Sequence, residues 1–252
     1  MGRVYWLGGC PLREMKIETF ILTWNREDTI HLTVKYYQQL GKVTVYDNFS
    51  DDATRTICEN LGCDVRLFGS AGVLDDGVYL DIKNHCWKNS TCDWVIVVDD
   101  DEILYSLDLV DDLSNAVKRG FTIIRPQGFG IFSEKMPKED WTEILTGVDD
   151  NNYSKLCCFS PKIRDINYVY GCHEAHPKGD IRILETGFLL HYRAVGGADR
   201  LIKRHQAYEP RRERSRLNMR WGLGSHYKDT VENPDTTRKW FKESLEKSKA
   251  LF

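Results

Sequence analysis

The chain lacks several features that would settle its class at once. No apolar run reaches the ~18 residues that a membrane span needs, so an integral helical membrane protein is excluded. The eight cysteines form no Cys-x-x-Cys pair and no paired zinc spacing, which excludes zinc ribbons and dithiol redox sites. They read instead as reduced, buried thiols of a cytoplasmic protein. No Gly-x-Gly-x-x-Gly follows the first apolar run, and no phosphate-binding P-loop is present, so dinucleotide-dependent dehydrogenases and P-loop NTPases are excluded. Internal repeats and low-complexity segments are absent as well. Arg3 and a short apolar patch do not make a secretory leader, and Met15 opens the pattern MKIETFILTWN, so residues 1–15 read as an extension outside the fold.

What is present is an ordinary globular composition. Hydrophobic residues make up 41% and charged residues 29%, with a net charge of −3. That is enough apolar material for one full core in 252 residues, and it rules out a disordered or fibrous chain. Apolar runs at Lys16–Thr23, Lys42–Asp47, Cys63–Gly69, Trp94–Asp99 and Phe121–Gly130 read as strands. Between them, Ile30, Val34, Tyr37 and Leu40 fall at helical spacing, TRTICENLG is a helix closed by Gly62, Val78, Ile82 and Cys86 mark a third helix, and LVDDLSNAVKRG is a fourth. This alternation predicts an α/β fold, a mostly parallel sheet covered by helices on both faces. Such sheets bind ligands at the carboxyl ends of their strands. Residues 16–130 form this half. From about Gly130 strands are expected to shorten and loops to lengthen, and residues 131–252 read as a second half of the same continuous domain, ending in a charged helix over Asp235–Phe252.

The fourth strand runs straight into acid, in the stretch DWVIVVDDDEIL. Adjacent carboxylates repel and are costly unless a cation joins them, and hard oxygen ligands suit Mg²⁺ or Mn²⁺. On an extended chain Asp99 and Asp101 face one way and Asp100 the other, which gives an Asp-x-Asp metal pair. The alternative is a solvated acidic turn that starts a helix.

Three stretches taken together, TFILTWNRED, VTVYDNFSDDAT and DWVIVVDDDE, resemble the family-2 nucleotide-sugar glycosyltransferases in order and spacing. YLDIKNHCWK, GCHEAHPKG and HYRAVGGADRLIKRH are similar to a bacterial and viral subgroup of small members. The resemblance covers residues 16–135 most closely. It implies a GT-A fold, a UDP-sugar or related donor, Mn²⁺ or Mg²⁺ as cofactor, and an inverting hexosyl or pentosyl transfer to a hydroxyl acceptor. It further implies that Thr23, Asn25 and Asp47 line the nucleoside pocket, that Lys83 and Asn84 face the donor, that Asp99 sits near the ribose with Asp100 also among the donor-binding residues, and that Asp99 and Asp101 hold the metal. His191, at the end of FLLHYR, would be a late metal ligand. The chain departs from the family frame where Asn48 and Phe49 replace an acidic residue and a glycine.

Arg193–Arg220 holds nine Lys and Arg against three Asp and Glu. Arg200 and Arg204 are four apart, so a helix would present both on one face. With Arg193 they are candidates to grip the diphosphate, or a nucleic-acid acceptor in place of a glycan. Candidate catalytic bases are Glu174, Asp149 and Asp150. Two other functions compete. A metal-dependent nuclease would use Asp76, Asp81 and Lys83 on a strand, although their period is helical. A non-catalytic sugar- or nucleotide-binding module would not need the intact acidic set.

Overall fold

The computed structural model describes residues 15–251. Cys10 and nearly all of the expected extension lie outside the described residues. In chain order the elements are β1 (Ile17–Thr23), α1 (Ile30–Gln38), β2 (Lys42–Asp47), α2 (Thr54–Asn60), β3 (Asp64–Leu67), α3 (Asp76–His85), β4 (Trp94–Asp99), β5 (Glu102–Tyr105) and α4 (Leu109–Lys118). They continue with β6 (Ile123–Ser133), β7 (Thr146–Asp149), β8 (Cys158–Phe159), β9 (Ile183–Val195), α5 (Ala198–Glu213), α6 (Arg216–Trp221), α7 (Ser225–Glu232), α8 (Pro234–Lys247) and β10 (Lys249–Ala250).

One sheet runs through the molecule in the order β10-β7-β6-β8-β4-β1-β2-β3, with β9 bonded to β6 and to β5. The end of the sheet formed by β4-β1-β2-β3 is parallel throughout. This is the expected mixed α/β architecture, a mostly parallel central sheet flanked by helices. β1 and β4 alternate apolar side chains onto both faces. Ile21, Ile96 and Val98 pack beneath α1 and α4, while Phe20, Val95 and Val97 pack with Trp87 and Phe159 on the other side. A strand covered on both faces must be apolar at nearly every position, and β1 is buried along its whole length.

Beyond Gly130 the structure corrects the sequence expectation. The strands there do not all shorten: β6 has 11 residues and crosses the expected boundary, and β9 has 13. Both are interrupted by register shifts against each other, which lets two long strands coil around the core. The acidic stretch after β4 does not start a helix. It makes a two-residue turn, Asp100–Asp101, into β5, which pairs antiparallel with β9 so that Glu102 faces His191. The charged C-terminal helix is α8, Pro234–Lys247.

The helices α5 to α7 fold back over the carboxyl ends of β1 and β4. Arg211 and Arg214 both donate to the Gly72 carbonyl, at 2.8 and 3.0 Å, and Leu74 N–H donates to the Arg211 carbonyl. Ser215 Oγ donates to Asp75, the N-cap of α3, and Asn218 Oδ1 accepts from Asp76 N–H. The bond to Asp76 N–H satisfies an amide that the start of α3 leaves open, and all of them tie the last third of the chain to the first.

The seven described cysteines are free thiols. Cys58, Cys157, Cys158 and Cys172 are buried, whereas Cys63, Cys86 and Cys92 are only partly so. Burial pushes the Cys58 and Cys86 thiols up to about 12, so neither is a thiolate nucleophile at neutral pH. No helix among the described residues is long and apolar enough to cross a membrane.

Candidate active site

A cavity of about 340 Å³ opens where β1 and β4 end. Thr23 and Trp24 from β1 and its following loop, Tyr79 and Lys83 from α3, and Asp99 to Glu102 from the β4–β5 turn form one wall. Tyr153, Lys155, His173, His191 and Arg193 come from the second half of the chain, and Arg204, Tyr208, His226 and Tyr227 close it from α5 and α7.

Its base is a network of four carboxylates and four cations. Arg26, 1% exposed, lies between two of the acids: Nε donates to Asp100 Oδ1 at 2.6 Å and NH2 to Asp101 Oδ2 at 2.8 Å. The second oxygen of Asp100 accepts from Thr23 Oγ1 at 2.7 Å. Asp101 Oδ2 also accepts from Arg204 NH2 at 2.8 Å, and His191 Nε2 stands 3.3 Å from Asp101 Oδ1. Lys83 Nζ is 2.8 Å from both oxygens of Asp99, and Lys155 Nζ is bonded to Glu102 Oε1. Glu102 Oε2 accepts from Asp99 N–H at 3.1 Å.

The electrostatics follow from this pairing. Burial alone would raise Asp101, but His191, Arg26 and Arg204 hold it well below the usual carboxylate range. Burial and the adjacent Asp101 charge raise Asp100, against Arg26. Burial opposes ionisation of Glu102 too, yet Lys155, Lys83 and His191 bring it down to about 2. Desolvation lowers His226 to about 4 and, with Lys155 next, lowers His173, so both rings are neutral at pH 7.

The turn overturns one piece of local reasoning. An extended chain would send Asp99 and Asp101 to one side and Asp100 to the other. The backbone bends at Asp100, so Asp100 and Asp101 share Arg26 while Asp99 goes to Lys83. The residue set expected to hold Mn²⁺ or Mg²⁺, Asp99, Asp101 and His191, therefore does not fit a cation in this arrangement. Among the described residues no three His, Cys, Asp or Glu side chains are grouped to hold a metal. Both oxygens of each of the four acids already face a donor.

Several expected donor-binding residues stand behind the wall rather than on it. Asp47, expected at an open strand exit, is 1% exposed, because Ser50 closes over it: Ser50 N–H and Oγ both donate to its carboxylate. Burial raises its pKa against those bonds. Asn25, at φ +47, bonds Asp51 from its side chain and Ser50 from its backbone, which staples the loop after β1 to the loop after β2. Phe49 takes φ +57, the left-handed conformation that suits the glycine of the family frame. Asn84 braces the Tyr168 backbone and does not face the cavity. Arg200 pairs with Asp28 and not with the Asp101 group, so Arg200 and Arg204 do not act together despite their spacing.

The three candidate bases separate clearly. Glu174 is solvent-exposed beside His176. Asp149 accepts from Gln127 at 2.6 Å. Asp150 accepts from Asn152 N–H and lines a small second cavity with Phe132 and Trp240, whose walls share Tyr153, His191 and Arg193 with the large one. Sequence reasoning missed Lys155 and His226, which carry no motif, and gave His173, inside the stretch GCHEAHPKG, no role in the site. It also passed over Arg26 and Glu102, which lie inside the motif stretches TWNRED and DDDE.

No family model matches the chain and no curated protein matches it. Among solved structures, S. aureus TarS is similar at 14% identity with a TM-score of 0.47, over 81% of this chain and 40% of that one. A structure of TarS 1-349 gives 14% identity and a TM-score of 0.48, over 81% of this chain and 67% of that one. Glucosyl-3-phosphoglycerate synthase from Mycobacterium tuberculosis, in complex with Mn²⁺, UDP and glucosyl-3-phosphoglycerate, gives 17% identity and a TM-score of 0.34, over 46% of this chain and 44% of that one. The chain thus spans less than half the length of the first TarS structure and of the synthase.

Proposed function

We propose that the chain is a GT-A-type glycosyltransferase that moves a hexosyl or pentosyl group from a nucleoside-diphosphate sugar, with UDP favoured, to an acceptor hydroxyl. The observation that carries this reading is the cavity itself. It lies at the carboxyl ends of parallel strands, is lined by aromatic rings and fixed charges, and adjoins a second pocket holding a carboxylate.

The nucleoside diphosphate enters between the β1 end and α5, with Thr23, Trp24 and Tyr79 beside the nucleoside and Lys83, Arg193 and Arg204 toward the diphosphate. Asp47, Asn25 and Asn84 contribute by positioning, since their bonds hold the loops that shape the pocket. The second cavity, about 20 Å³, is too small to enclose a sugar, so the acceptor lies over its mouth, where the partly exposed ring of Trp240 offers a stacking face for a glycan. Asp150 is the base: the acceptor oxygen gives its proton to Asp150 and bonds the anomeric carbon, while the bond from that carbon to the diphosphate oxygen breaks and its electron pair leaves with the diphosphate. Displacement from opposite sides inverts the anomeric centre. Residues 16–130 then serve the donor, and residues 131–252 supply the acceptor side together with the two arginines that face the diphosphate. A nucleic-acid acceptor is less favoured, because Arg211 and Arg212 of the basic segment are engaged inside the fold and Arg200 pairs with Asp28. The nuclease alternative loses its motif, since Asp81 sits on α3 facing His85 and outside the cavity.

The test is thermal stabilisation of the full chain by UDP, GDP, ADP and CDP, followed by donor turnover in the Asp150→Asn variant. One nucleotide at a hundredfold excess over its Kd should add about 2.7 kcal/mol, and Asp150→Asn should keep that stabilisation while losing roughly 10²–10⁴ in transfer. No stabilisation by any of the four would sink the reading.

A further inference from the structure

We infer that the donor diphosphate is held by guanidinium groups of the protein, Arg204 and Arg193, and that nucleotide binding does not depend on a divalent cation. This rests on the glycosyltransferase reading and departs from the metal dependence that the family resemblance implies.

Charge comes first. Asp99, Asp100, Asp101 and Glu102 are matched one for one by Lys83, Arg26, Arg204 and Lys155. A hard divalent cation needs several carboxylate or water oxygens converging on one centre at about 2.0–2.6 Å. Here Asp99 and Asp101 are held by different cations, and each oxygen of Asp101 already faces a donor. Entry of a metal would expel Arg26 or Arg204 from a buried ion pair, and breaking such a pair from one side is strongly unfavourable.

Hydrogen bonding comes second. Arg204 uses NH2 for Asp101, while its Nε and NH1 are buried with no hydrogen-bond partner. Nε–H and NH1 lie on opposite edges of the guanidinium, and each is an unsatisfied donor that a phosphoryl oxygen entering the cavity would complete with one charge-assisted bond. Arg193 lines the same cavity. Asp101 thus acts as a positioning residue: it orients Arg204 toward the place where negative charge develops on the leaving group. Donors fixed before the reaction are worth more than mobile ones.

The experiment is calorimetry of the full chain with the best-binding nucleotide of the four, in EDTA and in Mn²⁺. Affinities within about threefold of each other support the proposal. An affinity that collapses in EDTA and returns with Mn²⁺ overturns it while leaving the glycosyltransferase reading intact. Failure to bind in both buffers takes down that reading and this proposal together. A second arm uses Arg204→Gln, with Lys203→Gln on the exposed side of the same helix as control. Arg204→Gln should weaken binding in EDTA at least tenfold with its melting transition retained, and Lys203→Gln should leave it unchanged. Wild-type affinity in Arg204→Gln, or an equal loss in both variants, would also overturn the proposal.

Discussion

The acids and the bases of the cavity reach it in opposite ways. The four carboxylates are consecutive, Asp99 to Glu102, and sit on one turn between two strands. Their four cations come from the loop after β1, from α3, from the stretch before β8 and from α5. The pairs are separated by 16 residues for Lys83 and Asp99, 53 for Lys155 and Glu102, 74 for Arg26 and Asp100, and 103 for Arg204 and Asp101. The acidic side is therefore local and exists in the unfolded chain, where the four charges repel. The basic side exists only after folding. The lesson is that the acidic turn is not self-sufficient: long-range packing of four separate elements makes it tolerable.

The most forceful way to break that contrast is to remove the most buried cation. Arg26→Met should leave Asp100 and Asp101 partly uncompensated and cost about 3–5 kcal/mol, read as a lower urea midpoint at pH 7. A cost under about 1 kcal/mol would mean that the turn is stable without its distant partner.

The next effect is smaller and depends on pH. Glu102 has a folded pKa of about 2 against 4.5 for the free side chain. A depressed carboxylate stabilises the fold fully above the unfolded value and loses that contribution as pH falls through the folded one. This shift corresponds to roughly 3 kcal/mol at about 1.36 kcal/mol per unit, lost between pH 4.5 and about 2. Lys155→Met should destabilise at neutral pH, and the gap to wild type should narrow across that window. A gap that stays constant with pH would show that Lys155 acts through packing and not through Glu102.

The smallest effect comes from a basic residue outside the network. Arg200 lies one helical turn before Arg204 but pairs with half-exposed Asp28. Arg200→Gln should cost only about 0.2–1 kcal/mol and leave nucleotide affinity unchanged. If it weakened binding as much as Arg204→Gln, the basic segment would be acting as a diffuse field and not through one directed guanidinium.

Much of the central sheet is legible in the amino-acid order alone. β2 and β4 match the expected strands residue for residue, and α2 and α4 differ from theirs by two residues at the C-terminal end. These elements are read well because each is covered by its neighbours on both faces or along one stripe, so apolar period and burial agree. β5 and the full length of β9 are not legible in that way. Their residues pair mainly with each other and with β6 across large separations, and β9 is half-buried along much of its length, which dilutes its pattern. Within the site, the motif stretches point to Asp99 to Asp101, Lys83, His191, Arg193 and Arg204, and these do line one cavity. The same stretches point to Asp47 and Asn25, which lie behind it, because side chains at strand ends can be turned inward by a following loop that caps them.

The amino-acid order by itself determined that a parallel sheet would form and that acid would emerge at one of its strand ends. Apolar runs alternating with helical stretches bury both strand faces most readily in such a sheet, and a strand that leaves the core must stop being apolar. Tertiary structure alone decided what those acids do. A carboxylate's charge is local, but its partner is whichever cation the folded chain brings within hydrogen-bond reach, and the turn at Asp100 exchanged the alternation of an extended strand for a pair, Asp100 and Asp101, on Arg26 and a separate Asp99 on Lys83. Whether Asp101 faces a metal or holds Arg204 toward a diphosphate depends on α5 folding back over the sheet. That follows from the helix–loop bonds at Gly72, Asp75 and Asp76, whose partners Arg211, Ser215 and Asn218 lie 139 to 142 residues further along the chain.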